Sequence, residues 1–343
     1  MSLLIDATNI SSGGGGVLLR TLVQQDLDDV IVLLSENAVP TIEEQVNCDD
    51  RFVVCNPCSP LSRQRTKLLD EQLESRKFDR VLCFGNIPPL KRYPNVDVVT
   101  YFQNAHLLAS LDNRTKYSIR DRIRYSMLRR AVKKLKQNTD WWAVQTPGIQ
   151  IALSSSLGLS ASTVEVFPFY DADALHREST GNQSTRKEPH SFVYVSDARP
   201  HKNHKRLLTA WRSIAKEFSD AKLYLTIQKP SAPWGEAANV HYVGPLPSEH
   251  CNRLVANCEF VVFPSLLETL GLGIVEGVRL GCKAIIPNDS NFTFIVEPTD
   301  VFDPIDTKSI ESSMRRVLMG ESSSASQVLL PNRIGEFRDW LLR

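Results

Sequence analysis

Phe260–Gly281 reads FVVFPSLLETLGLGIVEGVRLG. Phe260, Val261, Val262 and Phe263 are a short apolar run of β-branched and aromatic residues that Pro264 ends, which predicts a buried strand. Ser265 to Thr269 predict a polar turn. Gly271 and Gly273 open a helix that carries Ile274, Val275, Val278 and Leu280 and stops at Gly281. Backbone N–H groups at a helix start have no partner within the helix, so this entry can hold an anion such as a phosphate. Glu268 lies just before the entry and Glu276 inside it. The turn between them can set both carboxylates at the rim of one pocket, although the helix dipole would also favour two solvated carboxylates there.

The string P-S-x-x-E-T-L-G-L-x-x-x-E-x-x-x-x-G resembles the E-x7-E signature of retaining GT-B glycosyltransferases of the family 4 type. Their common form is P-S-x-x-E-G-F-G-L-P-x-x-E-A. Here Thr269 and Leu270 stand for the usual Gly-Phe, Gly273 for Pro and Gly277 for Ala.

A chain of 343 residues with 40 basic and 39 acidic side chains has room for two α/β domains and no charge imbalance that demands a partner. The first residues lack the basic and apolar regions of a signal peptide, and no apolar run is long enough to span a bilayer. Seven scattered cysteines fit a reducing cytoplasm better than a disulfide framework. Cys55-Asn-Pro-Cys58 has metal-ligand spacing, yet no second Cys or His pair matches it, so these read as core and loop thiols.

Leu3–Ile5 predict a first strand ending at Asp6. A loop from Ala7 to Gly16 with four consecutive glycines follows, then a helix from Val17. A Gly-rich loop there is a phosphate-cradle or close-approach geometry. In the glycosyltransferases the sequence resembles, this loop, here with Gly14 and Gly15, lines the cleft near the donor sugar and the acceptor. The same loop, Gly13–Gly16, with Glu36 after the second strand, leaves an NAD(P)-dependent oxidoreductase open, although Leu19 stands where a dinucleotide motif needs a small residue. Strands are predicted at Val30–Leu34, Phe52–Cys55, Val81–Phe84 and Val98–Phe102, the last running into Gln103-Asn104-Ala105-His106. His106 therefore sits at the carboxyl end of a parallel strand, the edge that faces ligands. Tyr117–Gln137 is a basic amphipathic helix. Ile119, Ile123, Leu128, Ala131, Val132 and Leu135 predict a stripe packed on the sheet. Arg120, Arg122, Arg124, Arg129, Arg130, Lys133, Lys134 and Lys136 predict attraction to an anionic membrane surface through charge alone. No nucleic-acid recognition motif accompanies them.

Strands at Trp141–Val144 and Val164–Phe167 complete a first domain, 1–175. The polar stretch 176–190 predicts a linker and 191–331 a second domain, with the last helix, 332–343, returning to the first. Phe192–Val195 opens the second βα series. Ser196-Asp197-Ala198-Arg199-Pro200-His201-Lys202-Asn203 follows it, where cations suit a diphosphate. This segment resembles the family's G-R-x-x-P-x-K-N. Lys202 and Asn203 match, but Asp197 occupies the usual Arg position and Arg199 lies two residues later. Either Arg199 replaces that Arg, or the phosphate rests on Lys202 and the helix start.

The resemblance implies a GT-B fold, two doubly wound Rossmann-like domains facing a cleft. It implies transfer of a sugar from a UDP- or GDP-sugar to a hydroxyl of a glycan or lipid-linked acceptor, with retention. Glu268, His106 and Lys202 take the catalytic roles. Glu276, Arg199, Asn203, Thr269, Leu270, Gly271, Leu272, Gly14 and Gly15 bind the donor. No metal or other cofactor is expected, because Lys202 and the helix start supply positive charge. The basic helix suggests a peripheral protein on the cytoplasmic face of the membrane, in bacterial surface-polysaccharide synthesis. The oxidoreductase and a non-catalytic membrane-surface module are the alternatives.

Overall fold

The computed structural model describes every residue except 12, 47–49, 109–116, 173–186 and 323–324, and of 44–46 the backbone alone. The chain divides into two compact units. Met1–Asp112, Ser118–Asp171 and Asn332–Arg343 make up the first, and Ala172–Pro331 the bulk of the second. Most of the expected linker lies outside the described residues, but its last three, Glu188–His190, belong to a strand.

The first unit is built on seven parallel strands: β1 (Leu3–Ala7), β2 (Val30–Ser35), β3 (Phe52–Cys55), β4 (Arg80–Cys83), β5 (Asp97–Phe102), β6 (Trp141–Val144) and β7 (Val164–Val166). They lie in the order β3-β2-β1-β4-β5-β6-β7. β1 is an interior strand and every residue of it is buried, as a strand covered on both faces must be. In register, Ile5 stands between Val32 and Leu82. The final helix, Ile334–Leu341, seats Phe337 against Tyr101, Phe167 and Phe169, with ring centroids 5.1–5.5 Å apart. Arg333 holds its start, the backbone N–H donating to Pro168 O at 2.8 Å.

Three features of this unit depart from the sequence expectation. The first helix begins at Gly14, so Gly14–Gly16 form its first turn rather than a loop. A helix at Val39–Val46, unmarked by periodicity, follows β2. The basic helix spans Ile119–Leu135, but its apolar residues do not form one packed stripe. Val132 and Leu135 are buried, whereas Ile119 and Ile123 face solvent. Val132 lies nine positions after Ile123, about two and a half turns, so these two lie on opposite sides of the helix.

The second unit has eight strands: β8 (Glu188–Tyr194), β9 (Lys222–Leu225), β10 (Val240–Tyr242), β11 (Cys258–Val262), β12 (Lys283–Pro287), β13 (Val296–Glu297), β14 (Asp300–Phe302) and β15 (Gln327–Val328). Six form a parallel sheet in the order β10-β9-β8-β11-β12-β14, and β13 pairs with β15 in an antiparallel ribbon. Phe192 lies between Phe260 of the neighbouring strand and Trp211 of the helix His204–Glu217, at 4.8 and 5.5 Å. The helix Leu272–Arg279 packs on β11 with no side chain between. A Cβ on Gly277 would lie 2.8 Å from Val261 Cβ, closer than carbon atoms pack.

Candidate active site

In an open parallel sheet, ligands bind at the carboxyl ends of the strands where the strand order reverses, because the connections there leave in opposite directions. In the second unit that place lies between β8 and β11. The loops leaving these two strands carry Asp197–Asn203 and Pro264–Gly271.

Lys202 and Glu268 meet there. Lys202 Nζ donates to Glu268 Oε1 at 2.6 Å, and both side chains are largely buried, at 12% and 16% exposure. Low exposure weakens solvent screening, so the attraction is stronger than in a surface ion pair; desolvation of both charges offsets it, and removing one member would strand the other. The ammonium also lies 5.7 Å from the ring centre of Phe263. Tyr194, at the end of β8, fixes the backbone beneath: its hydroxyl donates to Lys202 O at 3.0 Å and lies 2.8 Å from Ser265 Oγ. Burial raises the Tyr194 hydroxyl far above its ordinary pKa, and the Glu268 charge adds to the effect. Tyr194 went unread in the sequence, where the one hydroxyl in an otherwise apolar strand end was its signal.

Asn203 matches the family motif, but its side chain is committed to the scaffold. It is buried in the left-handed region at φ 62°. Its amide donates to Pro264 O at 3.0 Å and Pro304 O at 2.7 Å, and its Oδ1 accepts from Arg206 at 2.9 Å. It thus ties the loop after β8 to the loop after β11 and to the segment after β14. Thr269 and Leu272 are half-buried. Leu270 is buried, so its backbone rather than its side chain is what a ligand could reach.

Asp197, at the usual Arg position, accepts from Arg199. The Arg199 backbone N–H reaches Oδ1 at 3.0 Å, and Nε and Nη2 grip Oδ2, Nε at 2.8 Å. Burial opposes ionisation of Asp197, but the Arg199 guanidinium and backbone N–H outweigh it and bring the carboxyl to about 2. Behind the loop, His204 is buried beside Tyr194 and its Nε2 lies 3.0 Å from Ser196 Oγ. Burial and the nearby Lys202 lower its pKa to about 4 against the pull of Asp197, leaving a neutral ring.

Gly271 takes the left-handed conformation at φ 63° and starts the helix Leu272–Arg279 with no side-chain cap. The open helix start therefore lies within the same loop as Glu268. Glu276 is half-buried inside that helix. The sequence-predicted residues of this unit thus gather on two adjoining loops and one helix, with Lys202 and Glu268 in direct contact.

In the first unit the reversal lies between β1 and β4. The helix opened by Gly14 and Gly15 approaches the loop after β5: a Cβ on Gly15 would lie 3.6 Å from Gln103 Oε1. That loop carries His106, which is buried, with its ring stacked on Tyr125 at 5.1 Å. Arg129 donates to His106 O from Nε at 3.0 Å and Nη2 at 2.7 Å. Lys136 likewise donates from Nζ to Leu157 O, so two of the eight charges assigned to a membrane serve the fold. Leu19, at the dinucleotide motif's third small position, is fully buried, and Glu36 is exposed. Cys55 and Cys58 donate to Leu34 O and Asn56 O, and burial and the neighbouring Cys58 raise the Cys55 thiol to about 11, so it stays protonated. No group of three or more His, Cys, Asp or Glu among the described residues is arranged to hold a metal ion.

Residues 177–328 match the model of the family described as Glycosyl transferases group 1. No curated protein matches the chain by sequence. Among solved structures, Anabaena Alr3699/HepE in complex with UDP and glucose is similar with a TM-score of 0.65 at 14% identity, over 99% of this chain and 95% of that one. WaaG, a glycosyltransferase involved in lipopolysaccharide biosynthesis, is similar with a TM-score of 0.65 at 12% identity, over 99% of both chains. The UDP-GlcNAc 2-epimerase of Neisseria meningitidis, bound to UDP-GlcNAc, reaches 0.63 at 14% identity, over 100% of this chain and 98% of that one.

At such identities the likeness shows the fold, and the fold is GT-B. Because an epimerase shares it, the fold does not specify group transfer. The family match does: the second unit is a glycosyl transferases group 1 domain, and the chain is a glycosyltransferase.

Proposed function

We propose that the enzyme transfers a sugar from a UDP-sugar to a hydroxyl of a glycan or lipid-linked saccharide, with retention at the anomeric carbon. The observation that carries this reading is the Lys202–Glu268 pair at the strand reversal, beside the uncapped helix start at Gly271. As the bond from the anomeric carbon to the diphosphate oxygen breaks, its electron pair passes to the phosphate. Lys202 and the N–H groups after Gly271 stabilise that charge without reorganising. Glu268 contacts the donor sugar and Glu276 accepts from the ribose hydroxyls. The acceptor oxygen enters on the face the diphosphate leaves, and its proton passes to the leaving phosphate oxygen. No protein nucleophile is needed. His106 keeps the donor-sugar contact that the resemblance gives it.

UDP is favoured over GDP by the UDP in HepE. Transfer proceeds without a divalent cation, since Lys202 and the helix start fill that role. The exposed cations of the helix Ile119–Leu135 draw the enzyme to the cytoplasmic face of an anionic membrane, which suits a lipid-linked acceptor in bacterial surface-polysaccharide synthesis. No helix among the described residues is long and apolar enough to cross a membrane.

Calorimetric titration with UDP, GDP and NAD(P)H, then assay of labelled UDP-sugars with and without EDTA, tests the reading. The expected result is UDP binding, release of UDP that persists in EDTA, and an α-linked product by NMR from an α-linked donor. Binding of NAD(P)H without UDP, or a β-linked product, would overturn it.

A further inference from the structure

The helix Ile119–Leu135 carries two apolar faces. One is turned inward, where Val132 and Leu135 are buried and Tyr125 stacks on His106. The other is open: Ile119, Ile123 and Met127 are 76%, 56% and 57% exposed. Their spacing of four residues aligns them in one ridge. Exposed Arg120, Arg122, Arg124, Arg130, Lys133 and Lys134 surround and extend the ridge, and Asp121 is the helix's one acid.

Charge attraction alone would leave such a ridge unexplained. A solvated face gains nothing from three consecutive large apolar side chains at i+4 spacing. An acidic protein groove could match the cations, but six of them on long, flexible stems around a narrow apolar ridge suit a surface with headgroups above and acyl chains below. We propose that Ile119, Ile123 and Met127 insert into the acyl boundary of an anionic bilayer while the surrounding cations hold lipid phosphates. This deepens the membrane part of the function proposed above and rests on it, replacing adhesion by charge with shallow insertion. Arg129 takes no part in lipid binding, because its guanidinium holds the His106 carbonyl. The helix that lies on lipid therefore also fixes the loop that carries His106.

The full-length protein is sedimented with phosphatidylglycerol and with phosphatidylcholine vesicles, at low salt and at about 0.5 M, where charges are screened beyond a few ångströms. The inference expects binding to the anionic vesicles that high salt reduces but does not abolish. It expects Ile119→Ser/Ile123→Ser/Met127→Ser to bind about ten-fold or more weakly with its cations intact. An Ile123→Trp variant should show quenching by brominated acyl chains that wild type lacks. UDP affinity, measured in parallel, should be unchanged in both variants, which shows that they are folded. If the triple variant binds as tightly as wild type and the introduced tryptophan is not quenched, insertion is overturned and charge attraction stands. Wild type that ignores anionic vesicles at low salt overturns both, and self-association lost in the triple variant would then give the ridge to a second copy. Vesicle binding by a protein that binds no UDP would leave insertion standing and sink the donor site instead.

Discussion

Replacing Asn203 by alanine tests whether the site is held together as the geometry says. The residue's amide donates to the Pro264 and Pro304 carbonyls in a buried setting, and its backbone sits at φ 62°. Each lost hydrogen bond costs about 1 kcal/mol, and a buried carbonyl left without a partner adds to that. Alanine in the left-handed region costs roughly 1 kcal/mol more. Asn203→Ala should therefore destabilise the protein by about 3–4 kcal/mol, and Asn203→Gly by roughly 1 kcal/mol less, because glycine relieves only the backbone cost. Urea unfolding followed by both fluorescence and circular dichroism measures this, with two probes because a chain of two units need not unfold in one step. UDP affinity should fall in both variants, since the tie joins the loop of Lys202 to that of Glu268. Asn203→Ala within about 0.5 kcal/mol of wild type would refute the scaffold assignment. Equal stability for the two variants would refute the role given to the backbone angle.

Glu276→Ala should weaken UDP binding by about 1.5–3 kcal/mol, the range for hydrogen bonds to a charged group, and calorimetry giving a wild-type affinity would remove Glu276 from the ribose. Gly277→Ala places a methyl 2.8 Å from Val261 Cβ, so thermal unfolding should show a loss of about 1–3 kcal/mol from overpacking, with no loss if the helix does not press on β11. His204 gives stability a pH dependence. Its folded pKa of about 4 lies below the ordinary 6.5, so the unfolded chain takes the proton first. Its contribution is complete above about pH 6.5 and falls by on the order of 1 kcal/mol per pH unit down to about pH 4. His204→Gln should flatten that part of the urea-stability profile, and an unchanged slope would place the titration elsewhere.

Much of the fold was legible because buried parallel strands leave unbroken apolar runs, as in LLI, VIVLL and FVVF. The failures have local causes. Glycine disfavours helix, so Gly14–Gly16 read as loop, yet the backbone there closes its first turn with Val17 N–H on Gly13 O. The basic helix misled because Ile119 and Ile123 repeat at i+4, as do Leu128 and Val132. The two short series merge into one apparent period although they face opposite ways. In the site, the motif placed Lys202 and Glu268 on loops that do adjoin. It could not sort Asn203 from the other residues of the motif, because an asparagine that tolerates φ > 0 looks the same in sequence whether it holds a ligand or a backbone.

The departure at Asp197 has an electrostatic consequence. At the reversal between β8 and β11, both cations expected to meet a diphosphate already have an acidic partner: Arg199 has Asp197, and Lys202 has Glu268. The two pairs do not weigh equally. Arg199 and Asp197 are 63% and 45% exposed, so solvent screens their attraction, and a phosphate entering beside them need only share the guanidinium. Lys202 and Glu268 are largely shielded, so an incoming anion must either break a close pair or accept hydrogen bonds from the ammonium's remaining N–H donors while Glu268 stays in place. The second course retains the buried contact and leaves Glu268 directed at the atoms next to the phosphate, where a sugar would lie. The acid that offsets Lys202 can thus also orient a bound donor. Asp197 lowers the local charge by one and leaves the helix start at Gly271, which has no acidic residue in its first turn, to supply the remaining attraction.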